Sequence, residues 1–355
     1  MRDPFLRKPT EILHHIIRLA VPPLRFSTYK ERYSVLKACA LVSKRWCIVA
    51  RQELGKHIYI ENQGDMDAML VALDASNGLG ATLGGELRKQ VRSLRLGDRE
   101  LWKRSEVKIL LYCMPLASEL WLSGYIASVL GLRIESWCFV DVLTRLHLNT
   151  VTVLPPFAPL PNVEALSIAD PPDLTLALHF LRQTALPRLK ELGIAYWPQF
   201  DYGGGDGEKL LAGTALGRLA PQLESLVIRS QLDHLEGLTL FWSSLSSLRR
   251  AYLGVNSCSA SPALMAIPSK LDSLRLEPYG PIVHGHWDHG EQLLKDSPFC
   301  LQALRKLELP TCEDDGRKGR VDRLCAARGV VLEYQAEVKA PFLAQWEDAM
   351  TCSAL

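Results

Sequence analysis

The chain has 355 residues, of which 48% are apolar and 23% charged. This composition is close to that of an average soluble protein and excludes wholesale disorder. The net charge at pH 7 is only +2, so it gives no global case for a nucleic-acid partner. Residues 1–61 carry 12 Lys and Arg against 5 Asp and Glu, whereas the rest of the chain carries 29 against 34. A basic head on a mildly acidic body favours an acidic partner for the head.

Cysteine usage and hydropathy bear on the compartment. Nine cysteines occur without any C-x-x-C pair, which is typical of free thiols in a reducing interior. The most membrane-like run, residues 114–132, contains Pro115 and Glu119, which favours a buried segment over a membrane span. The amino-terminal residues lack the apolar core of a signal peptide. We therefore expect a cytoplasmic or nuclear protein without a membrane partner.

Residues 1–61 show the periodicity of three short helices. The first is predicted to open at Pro9 and to end before Pro22, and the second and third are predicted to be capped by Ser34 and Ser43. Three helices in about fifty residues form only a small core, so such a unit normally packs on a neighbour or a partner.

Two motifs in this head, "PTEIL" at residues 9–13 and "LVSKRW" at residues 41–46, occur in the order seen in F-box domains. The head therefore resembles an F-box. The resemblance implies docking to the acidic Skp-type adaptor, and through it to the cullin, of a ubiquitin ligase. The residues that it assigns to adaptor contacts are Pro9, Ile12, Leu13, Leu36, Leu41, Val42 and Trp46.

The head departs from the family at two points. Lys8 stands where the family usually has Leu, and the link between the first two helices is longer than in many members. These departures keep a second hypothesis open, an interaction scaffold that works outside any ligase.

After a connector predicted for residues 62–86, one phrase ending in apolar-x-apolar recurs over residues 87–335. This alternation predicts strands with one buried face. Successive copies lie 20 to 34 residues apart, which resembles the period of leucine-rich repeats. The apolar residues that mark the copies are Leu94, Leu120, Leu146, Leu166, Leu192, Leu226, Ala251, Leu274, Leu307 and Val330.

These patterns together predict an α+β/α-β solenoid. A three-helix F-box (residues 1–61) is followed by an irregular leucine-rich-repeat arc with a parallel sheet, and residues 336–355 form a carboxy-terminal cap or tail. Residues 313–320, "EDDGRKGR", are expected to form a mixed-charge turn.

Alternation along each strand also predicts which side chains face outward to bind a target protein. Aromatic and arginine side chains are the usual anchors of an interface, and those on this face are Trp121, Arg145, His147, Arg229, Arg250, Tyr252 and Arg275. Two long insertions, residues 196–208 and 278–291, are predicted to edge the face as rim loops that carry Trp197, Tyr202, His286 and Trp287.

The second insertion contains "HGHWDH", residues 284–289, which resembles the metal-binding motif of the metallo-β-lactamase family. A zinc hydrolase of that kind needs further ligands from later in the chain, but no histidine follows His289. The remote alternative of a zinc-dependent hydrolase is therefore disfavoured, and opportunistic metal binding by the loop stays open. We expect a protein that is not an enzyme and has no cofactor, and whose target is unknown.

Overall fold

The computed structural model describes residues 10–22, 24, 28–74, 88–97, 101–123, 125–127, 132–134, 137–195, 206–229, 239–255, 270–278, 291–292, 294–295, 303–310 and 314–335. The chain divides into two compact units. Unit 1 comprises residues 1–128, 136–143 and 343–355, and unit 2 comprises residues 129–135 and 144–342.

Unit 1 begins with three helices: α1 (Thr10–Ala20), α2 (Tyr29–Val42) and α3 (Lys44–Lys56). The cap of α3 is confirmed, because the Ser43 side chain accepts a hydrogen bond from the backbone N–H of Trp46. The predicted cap at Ser34 is wrong: α2 starts five residues earlier, at Tyr29, so Ser34 lies inside the helix. The apolar stripes of the three helices meet in a core formed by Leu13, Ile17, Val21, Leu36, Val49 and Ala50.

Three parallel strands follow in unit 1: β1 (His57–Ile60), β2 (Ser93–Leu96) and β4 (Glu119–Leu122), with β2 in the middle. A short parallel pair, β3 (Leu101–Lys103) and β5 (Tyr125–Ala127), forms a second sheet. Helix α4 (Gln63–Leu73) occupies part of the segment predicted as a connector, and Asn62 caps its first turn. Helix α5 (Arg104–Tyr112) directly follows β3.

Unit 2 contains eight parallel strands that pair in chain order. Their bounds are β6 (Arg145–Asn149), β7 (Ala165–Ala169), β8 (Glu191–Ala195), β9 (Ser225–Arg229), β10 (Arg250–Val255), β11 (Ser273–Pro278), β12 (Lys306–Pro310) and β13 (Val331–Gln335). Chain-order pairing of parallel strands needs a return segment between each pair. Described returns include α6 (Leu174–Gln183), α7 (Asp206–Leu219), α8 (Thr239–Ser244) and α9 (Asp315–Arg328).

The predicted repeat marks agree with the strand register. Within unit 2, the marks from Leu146 to Leu307 pair one with the next across neighbouring strands, and within unit 1 Leu94 pairs with Leu120. The tenth mark is wrong by two residues, because Leu332 rather than Val330 pairs with Leu307. The marked leucines are buried, and within each unit the shared register places them on one face of its strands.

Two further expectations need correction. The segment "HIYI" at residues 57–60, assigned to the head, is a strand in which Ile58 pairs with Leu94. Residues 314–320 of the predicted turn are instead the start of α9, whose first turn is capped by the Asp314 carboxylate.

No helix among the described residues has the length and apolar character needed to cross a bilayer. Residues 77–85, the predicted glycine-rich part of the connector, and residues 336–355, the predicted cap or tail, lie outside the described residues.

Candidate functional site

Exposed apolar side chains mark one surface of the head. Leu41 and Val42, the last two residues of α2, are 88% and 61% exposed, and Ile12 in the first turn of α1 is 42% exposed. The Arg45 guanidinium donates a hydrogen bond to the Thr10 hydroxyl at 3.2 Å, so the start of α1 lies beside the turn between α2 and α3. We call Ile12, Leu41 and Val42 the head patch.

The other predicted adaptor contacts have different positions. Leu13 and Leu36 are 2% and 1% exposed and belong to the head core, so they are not available at the surface. Trp46 is partly buried and packs against that core. Pro9 lies outside the described residues. Helical periodicity predicts that Leu13, Leu36 and Trp46 lie on the apolar faces of their helices. It does not predict which of these side chains are buried in the core, because that depends on tertiary packing.

Basic side chains lie next to the head patch along the chain. Exposed Lys37 is one helical turn before Leu41 on α2, and exposed Lys44 follows Val42 by two residues at the start of α3. Long cationic side chains that border an apolar patch steer an acidic partner toward it and leave the apolar centre to be buried on contact.

Glu53 of α3 is 3% exposed and faces several cations. It accepts hydrogen bonds from Lys56 Nζ at 2.5 Å and from Arg18 Nε at 3.3 Å, and Arg32 Nη2 lies 3.8 Å away. Burial alone would raise the pKa of Glu53, but Lys56 and Arg18 outweigh it, so the pKa is lowered. Glu53 follows Val49 and Ala50 at helical spacing, so the sequence places an acidic residue on the apolar face of α3. That feature could have identified this network.

The outward face of the unit 1 strands is covered by side chains. Tyr59, Arg95 and Trp121 are in register on β1, β2 and β4. The Arg95 guanidinium lies over the Trp121 ring at 4.5 Å and over the Tyr29 ring of α2 at 5.9 Å. Trp121 is therefore only 1% exposed, and the prediction of an accessible aromatic anchor there is wrong.

The outward face of unit 2 consists of the side chains on β6 to β11 that point away from the marked leucines; we call it the unit 2 face. His147 and Tyr252 are buried in it rather than accessible, which corrects the predicted aromatic edge. His147 Nδ1 lies 2.9 Å from the Ser167 hydroxyl, and the Arg275 guanidinium covers the Tyr252 ring at 4.6 Å. Neighbouring side chains on adjacent strands thus fill the space that alternation alone assigns to solvent.

The predicted arginines of the unit 2 face keep partly accessible side chains: Arg145, Arg229, Arg250 and Arg275 are all half-buried. The sequence prediction did not include their counterion Glu191, whose Oε1 lies 3.5 Å from Arg250 Nη2. Glu191 is the outward residue of "KELGI", so the same alternation could have found it. Burial raises the pKa of Glu191, and Arg145 and Arg250 offset that effect only in part.

The predicted rim-loop residues Trp197, Tyr202, His286 and Trp287 lie outside the described residues, as does the whole "HGHWDH" stretch. Within the part of the chain that the structure describes, no group of three or more His, Cys, Asp or Glu side chains could hold a metal ion. The loop therefore stays a prediction.

No protein-family model matches the chain, and no curated protein matches it. Among solved structures, the chain is similar to the crystal structure of a protein from Bacteroides fragilis, a structural-genomics target. The two share 15% identity over 82% of this chain and 69% of that chain, with a TM-score of 0.36. A similarity this low carries no argument about function.

Proposed function

We propose that this protein is a non-enzymatic substrate-recruiting adaptor of a Skp–cullin–F-box ubiquitin ligase. Its head is an F-box that docks to the Skp-type adaptor, and its strand units are degenerate leucine-rich repeats that hold the target protein. No cofactor takes part in this role.

The observation that carries the proposal is the head patch. The pair Leu41–Val42 forms the start of the "LVSKRW" motif and is exposed although both residues are apolar. An isolated exposed apolar side chain is ordinary, but consecutive ones on a motif that docks in other proteins favour a contact surface. The basic residues around the patch favour an acidic partner, which the Skp-type adaptor is.

The test is co-expression of the full chain with a Skp-type adaptor, followed by pull-down. A Leu41→Asp, Val42→Asp double variant should lose the adaptor, because two charges would have to be desolvated in an apolar contact. Both sites are exposed, so the variant should still fold.

Val71 on α4 and Ile109 on α5 provide a matched control, since they are 62% and 52% exposed apolar residues outside the head patch. The Val71→Asp, Ile109→Asp variant should retain the adaptor. Equal loss in both double variants, or equal retention, would refute docking through the head patch.

A second candidate is a scaffold that holds its partner outside any ligase. Lys8 favours it, because this residue departs from the F-box pattern. The second departure is weaker than the sequence predicted, since α2 begins at Tyr29 and takes up part of the link. Under this hypothesis the well-folded full chain captures a protein partner from cells but no Skp-type adaptor, and changes in the head patch do not alter that capture.

A further inference from the structure

The unit 2 face carries more positive than negative side chains. Arg145, Arg229, Arg250 and Arg275 lie on it with only two glutamates, Glu191 and Glu277, across six adjacent strands. These groups are half-buried, and charges in such positions are screened less by salt than those on an open surface. A surplus of cations there favours an anion as a ligand.

Arg275 and Arg250 make different contacts within the face. Arg275 pairs with Glu277 through Nη2, and one face of its guanidinium plane stacks on the Tyr252 ring. Arg250 Nη2 faces Glu191 Oε1 at 3.5 Å. Arg250 Nη1 is buried and has no hydrogen-bond acceptor among the described residues, and Glu191 Oε2 likewise has no donor there, so the two groups do not form a bidentate pair. A buried donor without an acceptor is costly, so this nitrogen favours a ligand oxygen.

The positions directly beside Arg250 carry small side chains, Ser225 on β9 and Ser273 on β11. Glu191 follows Ser225 in the same row on β8, and Arg145 lies two strands farther on, on β6, close enough to act on the charge of Glu191. A ligand carboxylate that reaches Arg250 from the β11 side therefore meets Ser273 rather than a bulky side chain and approaches on the side away from Glu191.

We propose that this part of the unit 2 face binds the carboxylate of an acidic segment of the target protein, with Arg250 as the direct donor and Arg145 and Arg229 supplying further positive charge. The inference rests on the proposed function in one respect, that unit 2 holds the target. The position of Glu191 favours a carboxylate over a phosphate group, because a dianion beside that carboxylate would meet stronger repulsion.

The test is a titration of the full chain, without the Skp-type adaptor, with a fluorescent hexaglutamate peptide and with hexaglutamine as the neutral probe. Hexaglutamate should bind and hexaglutamine should not. Arg250→Gln should weaken hexaglutamate binding by about tenfold, the usual effect of removing one partner of a partly desolvated charge pair. Glu191→Gln should strengthen it by a few-fold, because a like charge next to the ligand is removed. That gain is not expected if Glu191 has only a structural role.

Arg249→Gln is the matched control, since Arg249 is exposed and precedes the strand; it should change the affinity by less than about twofold. Equal binding of the two peptides, equal effects of Arg250→Gln and Arg249→Gln, or stronger competition by inorganic phosphate than by acetate would each overturn the proposal. Circular dichroism of each variant checks the fold. The adaptor pull-down is independent of these outcomes, so the two proposals fail separately.

Discussion

At the scale of single residues, Glu53 has the most demanding surroundings in the head. It is buried and lies opposite Arg18, Arg32 and Lys56, which come from all three helices. We predict that Glu53→Gln lowers the free energy of unfolding by about 3 kcal/mol, because removing one partner of a buried ionic network leaves its cations uncompensated. Urea unfolding of the full chain, followed by hydrogen exchange of the backbone amides in α1, α2 and α3, measures this effect.

The control for that experiment is Glu31→Gln on α2. Glu31 is exposed, and its loss should change the unfolding free energy by less than about 0.5 kcal/mol. If both variants behave alike, the network around Glu53 does not stabilise the head.

His57 predicts a pH dependence. Burial, with Arg32 adding to it, lowers the pKa of His57 from 6.5 to about 4. The unfolded chain therefore binds a proton at a higher pH than the folded chain does, so this contribution to stability is complete above pH 6.5 and is lost as the pH falls from 6.5 toward 4.

Between pH 7 and pH 5 the loss from His57 should be about 2 kcal/mol. In His57→Gln, thermal unfolding should show a correspondingly flatter pH profile over this interval, whereas His15→Gln, at an exposed position, should keep the profile of the unmodified chain. If the pH profile of His57→Gln matches that of the unmodified chain, the pKa of His57 does not differ between the folded and unfolded states.

The residue scale also shows why the candidate site could be predicted only in part. Alternation correctly placed Arg250 and Arg275 on the outward face, because side-chain direction along a strand follows from local geometry. It could not show that the Arg95 guanidinium and the Tyr29 ring would bury Trp121, since that depends on another strand and on a helix. Periodicity likewise could not separate exposed Leu41 from buried Leu36.

At the scale of elements, α2 is joined to the first strands through Tyr29. Its hydroxyl donates a hydrogen bond to the His57 carbonyl at 2.6 Å, and its ring packs against Tyr59 at 4.9 Å. Tyr29→Ala should destabilise unit 1 by about 3 kcal/mol through the lost packing and should raise hydrogen exchange in both α2 and β1. Tyr112→Ala, at a residue 71% exposed, is the control and should affect neither element.

The end of α9 depends on a glycine. Gly329 has a φ of +69°, and a Cβ added there would meet no atom within 4 Å. Gly329→Ala should therefore cost only the left-handed strain, about 1 kcal/mol, and Gly329→Asn less. Thermal unfolding of the two variants distinguishes this explanation from a steric one, in which the larger Asn would be the more damaging.

The strands were predictable because one leucine pattern repeats in every copy, and the register pairs these leucines across the sheet. Strand β1 was missed because its "HIYI" segment directly follows a helix and lacks the repeated phrase. Helices α4 and α9 were missed because their sequences are rich in aspartate and glycine, which are typical of loops. Polar residues also start helices, and here the side chains of Asn62 and Asp314 cap the first turns of α4 and α9.

At the scale of the whole molecule, the two units carry different surface chemistry. The head patch of unit 1 is apolar with a basic border and suits an acidic adaptor. The unit 2 face is rich in arginine and suits an acidic segment of a target. Variants in one unit should leave binding by the other unchanged, so Arg250→Gln should retain the Skp-type adaptor in the pull-down. Loss of the adaptor in this variant would contradict the division of roles.

The most direct test of the central claim is a calorimetric titration of the purified full chain with a purified Skp-type adaptor. We predict a one-to-one complex with a dissociation constant of about 1 μM or tighter. Leu41→Asp, Val42→Asp should weaken the complex by more than about 100-fold, as expected for loss of an interface hot spot. Absence of binding by the folded full chain, or equal affinity of this variant and the Val71→Asp, Ile109→Asp control, would contradict it.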